Sequence, residues 1–377
     1  MSEYQYYEFL ALDKPLTAAQ KADIEKISSR GEVTSNQAKF VYNYGDFRGD
    51  PQEVLGKYFD VMLYMANWGS RQLMFRFPKS LVNAKELESY CSQDGMTIST
   101  TSKSIIVDIN IFDEDLNDWI DSGEGCLSGM VLLRDSIMRG DYRCLYLAWL
   151  KAATIYCDEE DLLEPPVPPN LNDLSGSLNA FIDFFAIDTD LISAAAMNSN
   201  LQEEEEESLG HMILNLNDQE KNDFLTRLLK GETNLNIELT YKLRELSGKQ
   251  EVGLEANTNS RRKLSQLLEI AKEKAKKRIE KERELKHQAK IQRLEKLAKK
   301  KEEVWEQIFN DIARKQVKPY DKAVANLVEL RDLAEHQGNL KEFQETVNQI
   351  AQDNSRLSGL ISRLRKARLI PMNAKFK

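Results

Sequence analysis

Residues 254–318 contain neither glycine nor proline, so 65 consecutive positions offer nothing that routinely breaks a helix. Histidine is almost missing. The three present, His211, His287 and His336, fall in separate segments, and no H-E-x-x-H occurs. They are expected to be ordinary surface or helix-end residues. A G-x-x-x-x-G-K-[ST] phosphate loop is absent too. The segment Gly123-Glu124-Gly125-Cys126-Leu127-Ser128-Gly129 lacks that spacing and its lysine and follows an acidic connector, so it is read as a turn. Four cysteines (Cys91, Cys126, Cys144, Cys157) lie 35, 18 and 13 residues apart without a C-x-x-C pair. Reduced thiols fit that spacing better than a disulfide framework or a zinc site. No apolar run approaches the roughly 18 residues of a membrane span. The opening Met1-Ser2-Glu3-Tyr4 has neither a basic start nor an apolar stretch, so no secretory leader is expected and a cytoplasmic location is. No cofactor, metal or membrane partner is expected.

What the sequence does have is charge, unevenly placed. From Arg261 to Lys301 there are 17 Lys/Arg against 6 Glu, while the rest of the chain carries 35 basic and 55 acidic residues. A basic helical arm, 256–318, is therefore set on an acidic body. Its apolar positions are sparse where the charge is densest: Leu264, Leu268, Ala271 and Ala275, then Leu285 and Ala289. Glu273–Lys277, Glu282–Lys286 and Glu295–Lys299 are spaced to support an unburied helix, each by roughly 0.2–0.5 kcal/mol. If unbroken from Asn257 to Gln316, the arm would span on the order of 90 Å.

The organisation expected around it has four parts. Residues 1–115 read as an α+β domain with a small sheet and helices, ferredoxin-like in spirit. Strand patterns run over Tyr4–Leu12, Ala38–Tyr44, Leu73–Phe77 and Ile105–Ile111, where apolar and polar residues alternate. Thr17 with Gln20, and Asp50 with Pro51 and Glu53, are helix starts. The second of these helices is read through Val54 and Tyr58 to Met62. Residues 116–255 read as helical, with a break at Gly140-Asp141 and a stiff extended linker at Glu164–Pro169. After the arm, Pro319 is expected to end the helix. A C-terminal helical hairpin, 319–377, then follows, with Leu340, Phe343, Val347, Ile350, Leu357, Ile361 and Leu364 forming a stripe. That stripe is expected to pack on Val324, Leu327, Leu330, Trp305, Ile308 and Ile312.

These features point to binding. The first reading is a non-enzymatic interaction or scaffold protein, a subunit of a multiprotein complex, holding a protein partner through the head and hairpin. Its head contacts would be Phe47, Arg48, Trp68 and Arg71. The alternative is an accessory nucleic-acid-binding subunit that uses the arm as a sequence-independent clamp. Arg261, Arg262, Lys263, Lys276, Lys277, Arg278, Lys290, Arg293, Lys300 and Lys301 would follow the phosphates. Only Trp305 and Phe309 lie near the basic stretch, so base stacking is not indicated by the sequence. The same cations would equally suit an acidic partner, or the chain's own Asp158–Asp161 and Glu203–Glu207. A solvated helical spacer is the bland reading of the arm. An enzyme with a non-motif site, built from clusters such as Asp113, Glu114, Asp115 and Asp118, is the third class.

Overall fold

A computed structural model describes residues 3–28, 30–91, 94–117, 122–157, 162–201, 212–246 and 261–372. The chain divides into two compact units, Met1–Ala275 and Lys276–Lys377.

The first unit is built on a seven-stranded sheet. Its elements are β1 (Gln5–Leu10), α1 (Ala18–Glu25), β2 (Gly31–Val33), β3 (Gln37–Tyr42), α2 (Pro51–Tyr58), β4 (Val61–Ala66), β5 (Ser70–Pro78), α3 (Ala84–Glu88), β6 (Met96–Thr100) and β7 (Ser104–Phe112). The strand order is β2-β3-β1-β4-β5-β7-β6, and every pairing is antiparallel. The sheet is thus larger than the four alternating segments suggest. Among the described residues it also lacks the parallel pair that a ferredoxin-like split βαβ unit requires.

Both faces of this sheet are covered. Tyr7, Phe9, Phe40, Met62, Met74 and Ile106 pack with Ile24 of α1 and Val54 and Leu55 of α2. Their sequence neighbours Tyr6, Val61, Leu63, Phe75, Val107 and Ile109 point the other way. There they meet α4 (Cys126–Met130), α5 (Leu132–Met138), α6 (Arg143–Tyr156), α7 (Gly176–Phe185) and α8 (Thr189–Ala195). Residues on both sides of the 115/116 division therefore share one core. A strand buried on both faces loses its two-residue period, which explains β4. In Val61-Met62-Leu63-Tyr64-Met65-Ala66 only Tyr64 is not fully buried, and Met62 belongs to this strand and not to α2.

Caps fall where side-chain chemistry puts them. Thr17 accepts from the Gln20 amide while the Gln20 side chain accepts from the Thr17 amide, a closed capping box. Asp50 caps α2 with Pro51 in its first turn. Gly69 in the β4–β5 turn has φ +98°, and a Cβ there would lie 2.1 Å from the Asp113 carbonyl oxygen.

After α9 (Asp218–Leu229) and α10 (Leu235–Leu246), the chain enters the basic stretch. It is not one rod. Helix α11 covers Leu264–Lys299, about 54 Å at 1.5 Å per residue, and Lys300 separates it from α12 (Lys301–Ala313). The expected start near Asn257 lies outside the described residues. The next break comes at Lys315, with φ +49°, ahead of α13 (Val317–His336). Pro319 is not the terminator: it sits in the first turn of α13, where its missing N–H costs nothing. Gly338, φ +74°, closes α13. The stripe from Leu340 to Leu364 lies on two helices, α14 (Leu340–Asp353) and α15 (Ser358–Lys366).

From Lys276 onward these helices make the second unit. Its core joins Leu294 from the end of α11 to Ile308, Ile312, Leu327, Leu330, Phe343, Val347, Ile350, Ile361 and Leu364. The stripe on 340–364 and its proposed partners do meet, with Leu340 the exposed exception at 42%.

Candidate functional site

The ten basic candidates divide into three groups. At the root of α11, Arg262 is an internal structural residue. Its guanidinium grips Glu164, 1% exposed, through two hydrogen bonds of 2.8 and 2.7 Å. It also donates to the carbonyls of Ala194 and Ala195 at 2.9 and 3.1 Å. The Tyr146 hydroxyl donates to Glu164 as well, and burial first, then the Glu164 charge, pushes the Tyr146 phenol far above its ordinary value. Backbone bonds from Glu164 N to Arg262 O and from Leu264 N to Leu162 O, both 2.8 Å, zip the two segments together. The Glu164–Pro169 segment is consequently packed: Pro165, Pro166 and Pro168 are buried. Arg262 is thereby removed from the polyanion-binding set, because its donors are spent internally. Arg261 and Lys263, its neighbours, are exposed.

The second group lies on α11 beyond the root. Every residue from Lys276 to Lys290 is exposed, fifteen consecutive helical positions, holding seven Lys/Arg and three Glu. Four of these seven cations, with Arg293, share one face. Lys276, Arg283, Lys286, Lys290 and Arg293 follow at spacings of seven, three, four and three. On a helix of 3.6 residues per turn that keeps them within a sector of about 100°. Glu280 and Glu284 fall outside it. Leu294 and Leu297 share the cationic sector and seat the end of the helix on the second unit's core. Within the stripe, Lys286 pairs with Glu282 at 2.7 Å and Arg293 with Glu329. Both pairs are exposed, and exposed pairs of this kind contribute little and exchange readily. Lys276, Arg283 and Lys290 make no ion pair among the described residues. Lys277, Arg278 and Lys281 are exposed outside this sector, on the other side of the helix.

The third group is Lys300 and Lys301, at the break between α11 and α12. Lys300 is exposed, and Lys301 lines a pocket of about 230 Å³. Trp305, Phe309 and Phe343 form its aromatic walls. Trp305 and Phe309 are near-parallel with centroids 6.0 Å apart, and Trp305 lies 6.1 Å from Phe343. Phe309 is 51% exposed. Asn339 also lines the pocket and has a buried side-chain oxygen without a hydrogen-bond partner among the described residues.

The four head candidates are not assembled into a contact surface. Phe47 is buried against the sheet, stacked on Tyr7 at 5.0 Å and in contact with Phe9 and Phe40. Arg71 is 7% exposed, donates to the Ala66 and Ser70 carbonyls at 2.7 and 2.9 Å, and lies over the Phe184 ring. Both are structural, because each completes packing that the strands begin. Arg48 is exposed and Trp68 half-buried in the β4–β5 turn.

The carboxylates lining the cleft of the first unit are engaged by structural partners. A cleft of about 560 Å³ is lined by Asp13, Asp60, Arg76, Lys14, Lys57 and Glu238, among others. Arg134, 1% exposed, holds Asp13 through bonds of 3.0 and 2.9 Å, and Asn234 adds another at 2.9 Å. Burial pushes the Asp13 carboxyl up, but the Arg134 charge and these bonds win, so it stays below the ordinary carboxylate range. Asp60 accepts from Arg76 and from the backbone of Leu12 and Asp13 at 2.7 and 2.9 Å. Glu238 is bound by Arg227 through both guanidinium ends, at 2.8 and 2.6 Å. Carboxylates engaged this way hold charge in place within structural ion pairs. Asp113 likewise pairs with Lys151 at 2.5 Å and caps the turn at Asp115. Asp118, His211, Asp158–Asp161 and Glu203–Glu207 lie outside the described residues. The Gly123–Gly129 segment is the left-handed start of α4 at Gly125, φ +86°.

Among the described residues, no cluster of three or more His, Cys, Asp and Glu has metal-site geometry, all four cysteines are free thiols, and no helix is long and apolar enough to cross a membrane. Comparison with protein-family profiles, with curated proteins and with solved structures finds no match.

Proposed function

We propose that this chain is a non-catalytic interaction protein that grips a polyanion, a nucleic-acid backbone, on the cationic face of α11. The supporting observation is the unbroken exposure of Lys276–Lys290 with Lys276, Arg283, Lys286 and Lys290 on one side. A helix that docks on a protein buries an apolar stripe. Between Lys276 and Lys290 only Ile279, 43% exposed, interrupts the cations on that face, so hydrophobic burial contributes little there. A nucleic acid needs no such stripe, because neutralising its phosphates releases counterions and drives association by itself. Without base contacts from the stripe, binding is independent of sequence.

The test is fluorescence anisotropy with labelled 20-nucleotide single strands and duplexes between about 50 and 200 mM salt. Tight binding at low salt that weakens steeply, and is abolished by combined Arg283→Glu, Lys286→Glu and Lys290→Glu, supports the reading. Equal binding by that variant, or none by the wild type, refutes it.

The second reading, a scaffold subunit holding a protein partner in the cytoplasm, draws on the C-terminal bundle, where Phe309, Leu340 and Val317 are 51%, 42% and 62% exposed. A stoichiometric protein that stays bound through about 1 M salt and nuclease treatment would favour it over the polyanion.

A further inference from the structure

The pocket on the second unit lies within the same compact body as the cationic face of α11. Resting on the polyanion reading, we propose that this pocket takes an unpaired nucleobase, so that the ligand of α11 is a single strand. Three features carry the assignment. The first is shape. About 230 Å³ is below the roughly 300–1,000 Å³ of ordinary small-molecule sites, which suits one planar ring system and not a whole cofactor. The second is the wall material. Phe309 and Trp305 present near-parallel rings, Phe309 half-exposed, at the point where the charged stretch ends. Every base has a π-face, so such a platform is indifferent to sequence, as is the backbone grip beside it.

The third feature is polar. The buried Asn339 oxygen lacks a donor, and leaving such an acceptor unpaired is costly. A base supplies an exocyclic amino or ring N–H, whereas an aliphatic or phenylalanine anchor from a partner protein would leave Asn339 unpaired. Gln337 and Thr346 also line the pocket: the Gln337 amide offers both donor and acceptor, the Thr346 hydroxyl, which donates to the Glu342 carbonyl at 2.9 Å, offers an acceptor, and Lys301 places a cation there for the attached phosphate. Glu342 also lines the pocket and repels that phosphate, which favours entry by the uncharged base edge with the backbone held outside, on the lysine side. Bases in a duplex are stacked and paired and cannot enter, so the pocket discriminates strandedness where the stripe does not.

The probes are a fluorescein-labelled 12-nucleotide oligo-dT, the corresponding duplex, and an abasic 12-mer with the same backbone. The full-length chain is expected to prefer the single strand over both others. Phe309→Ala, at an exposed ring, should weaken single-strand binding about 5- to 100-fold while leaving duplex binding unchanged. A second readout uses the wild type alone. Tryptophan emission should be quenched by oligo-dT but not by the abasic strand, and that quenching should vanish in Trp305→Phe. If single strand, duplex and abasic strand bind alike, or Phe309→Ala binds oligo-dT as the wild type does, the pocket proposal is overturned and the backbone grip stands. If no probe binds, both fall. If Phe309→Ala releases a co-purifying protein and leaves oligonucleotide affinity intact, the pocket belongs to a protein partner and the proposal is likewise overturned.

Discussion

Arg262 separates a structural charge from a functional one. Replacing it with alanine removes four hydrogen bonds, two to Glu164 and two to the Ala194 and Ala195 carbonyls. Among the described residues Glu164, 1% exposed, keeps only Tyr146 as a side-chain donor. Stranding one member of a buried pair costs about 3–5 kcal/mol. With a urea slope of about 2 kcal/mol per molar, the midpoint of the first unit should fall by roughly 2 M. Circular dichroism and tryptophan fluorescence across a urea series measure this. The double variant Glu164→Gln, Arg262→Met fills similar volume with no unpaired charge, and should recover at least half of the loss. Oligonucleotide affinity, measured in buffer where Arg262→Ala is folded, should equal that of the wild type. A midpoint shift below about 0.5 M together with lost affinity would refute the assignment and return Arg262 to the binding face.

Other expectations follow from single contacts. Gly69→Ala places a methyl 2.1 Å from the Asp113 oxygen at φ +98°, so it should destabilise the first unit by at least about 1–3 kcal/mol, read by urea unfolding. Ile308→Ala, in the fully buried centre of the second unit, should cost about 2–5 kcal/mol and leave the first unit's transition unmoved. Burial, then Glu88, pushes the Cys91 thiol up to about 11, so at pH 8 it should react with iodoacetamide far more slowly than a free cysteine; rapid alkylation would contradict this. Asp13 and Asp113 are held below their ordinary values in the fold, so the folded state binds fewer protons than the unfolded one as pH falls. Their stabilisation is complete above about pH 5 and is lost below about pH 4, and Asp13→Asn should flatten part of that decline in urea midpoints.

Much of the architecture is legible where one physical signal acts alone. Thr17 and Asp50 announce their helices because capping is local chemistry. The strands around Phe9, Phe40, Phe75 and Val107 show through alternating residues. What is hidden depends on partners far along the chain. Strand β4 has no alternation because helices cover both sheet faces, and the edge strands β2 and β6 are short or Ser/Thr-rich. The break at Lys300 has no glycine or proline to mark it. At the sites, composition identified the cationic helix but could not tell Arg262 from Arg283, since the difference lies in Glu164, 98 residues away. Phe47 and Arg71 looked like surface residues in a turn and a strand end, yet the second layer buries them. The Trp305–Phe309–Phe343 pocket was missed because Phe343 reaches it from another helix. The i, i+4 spacing of Trp305 and Phe309 was the available clue.

The salt dependence of oligonucleotide binding tests the central claim most directly. If Lys276, Arg283, Lys286, Lys290 and Arg293 neutralise about five phosphates of a single strand, log K should fall with log salt at a slope of about −3.5. Neutralising Arg283, Lys286 and Lys290 with glutamine should reduce that slope by about 2. A slope near zero, or one unchanged in the triple variant, would mean that the exposed cations of α11 do not grip a polyanion.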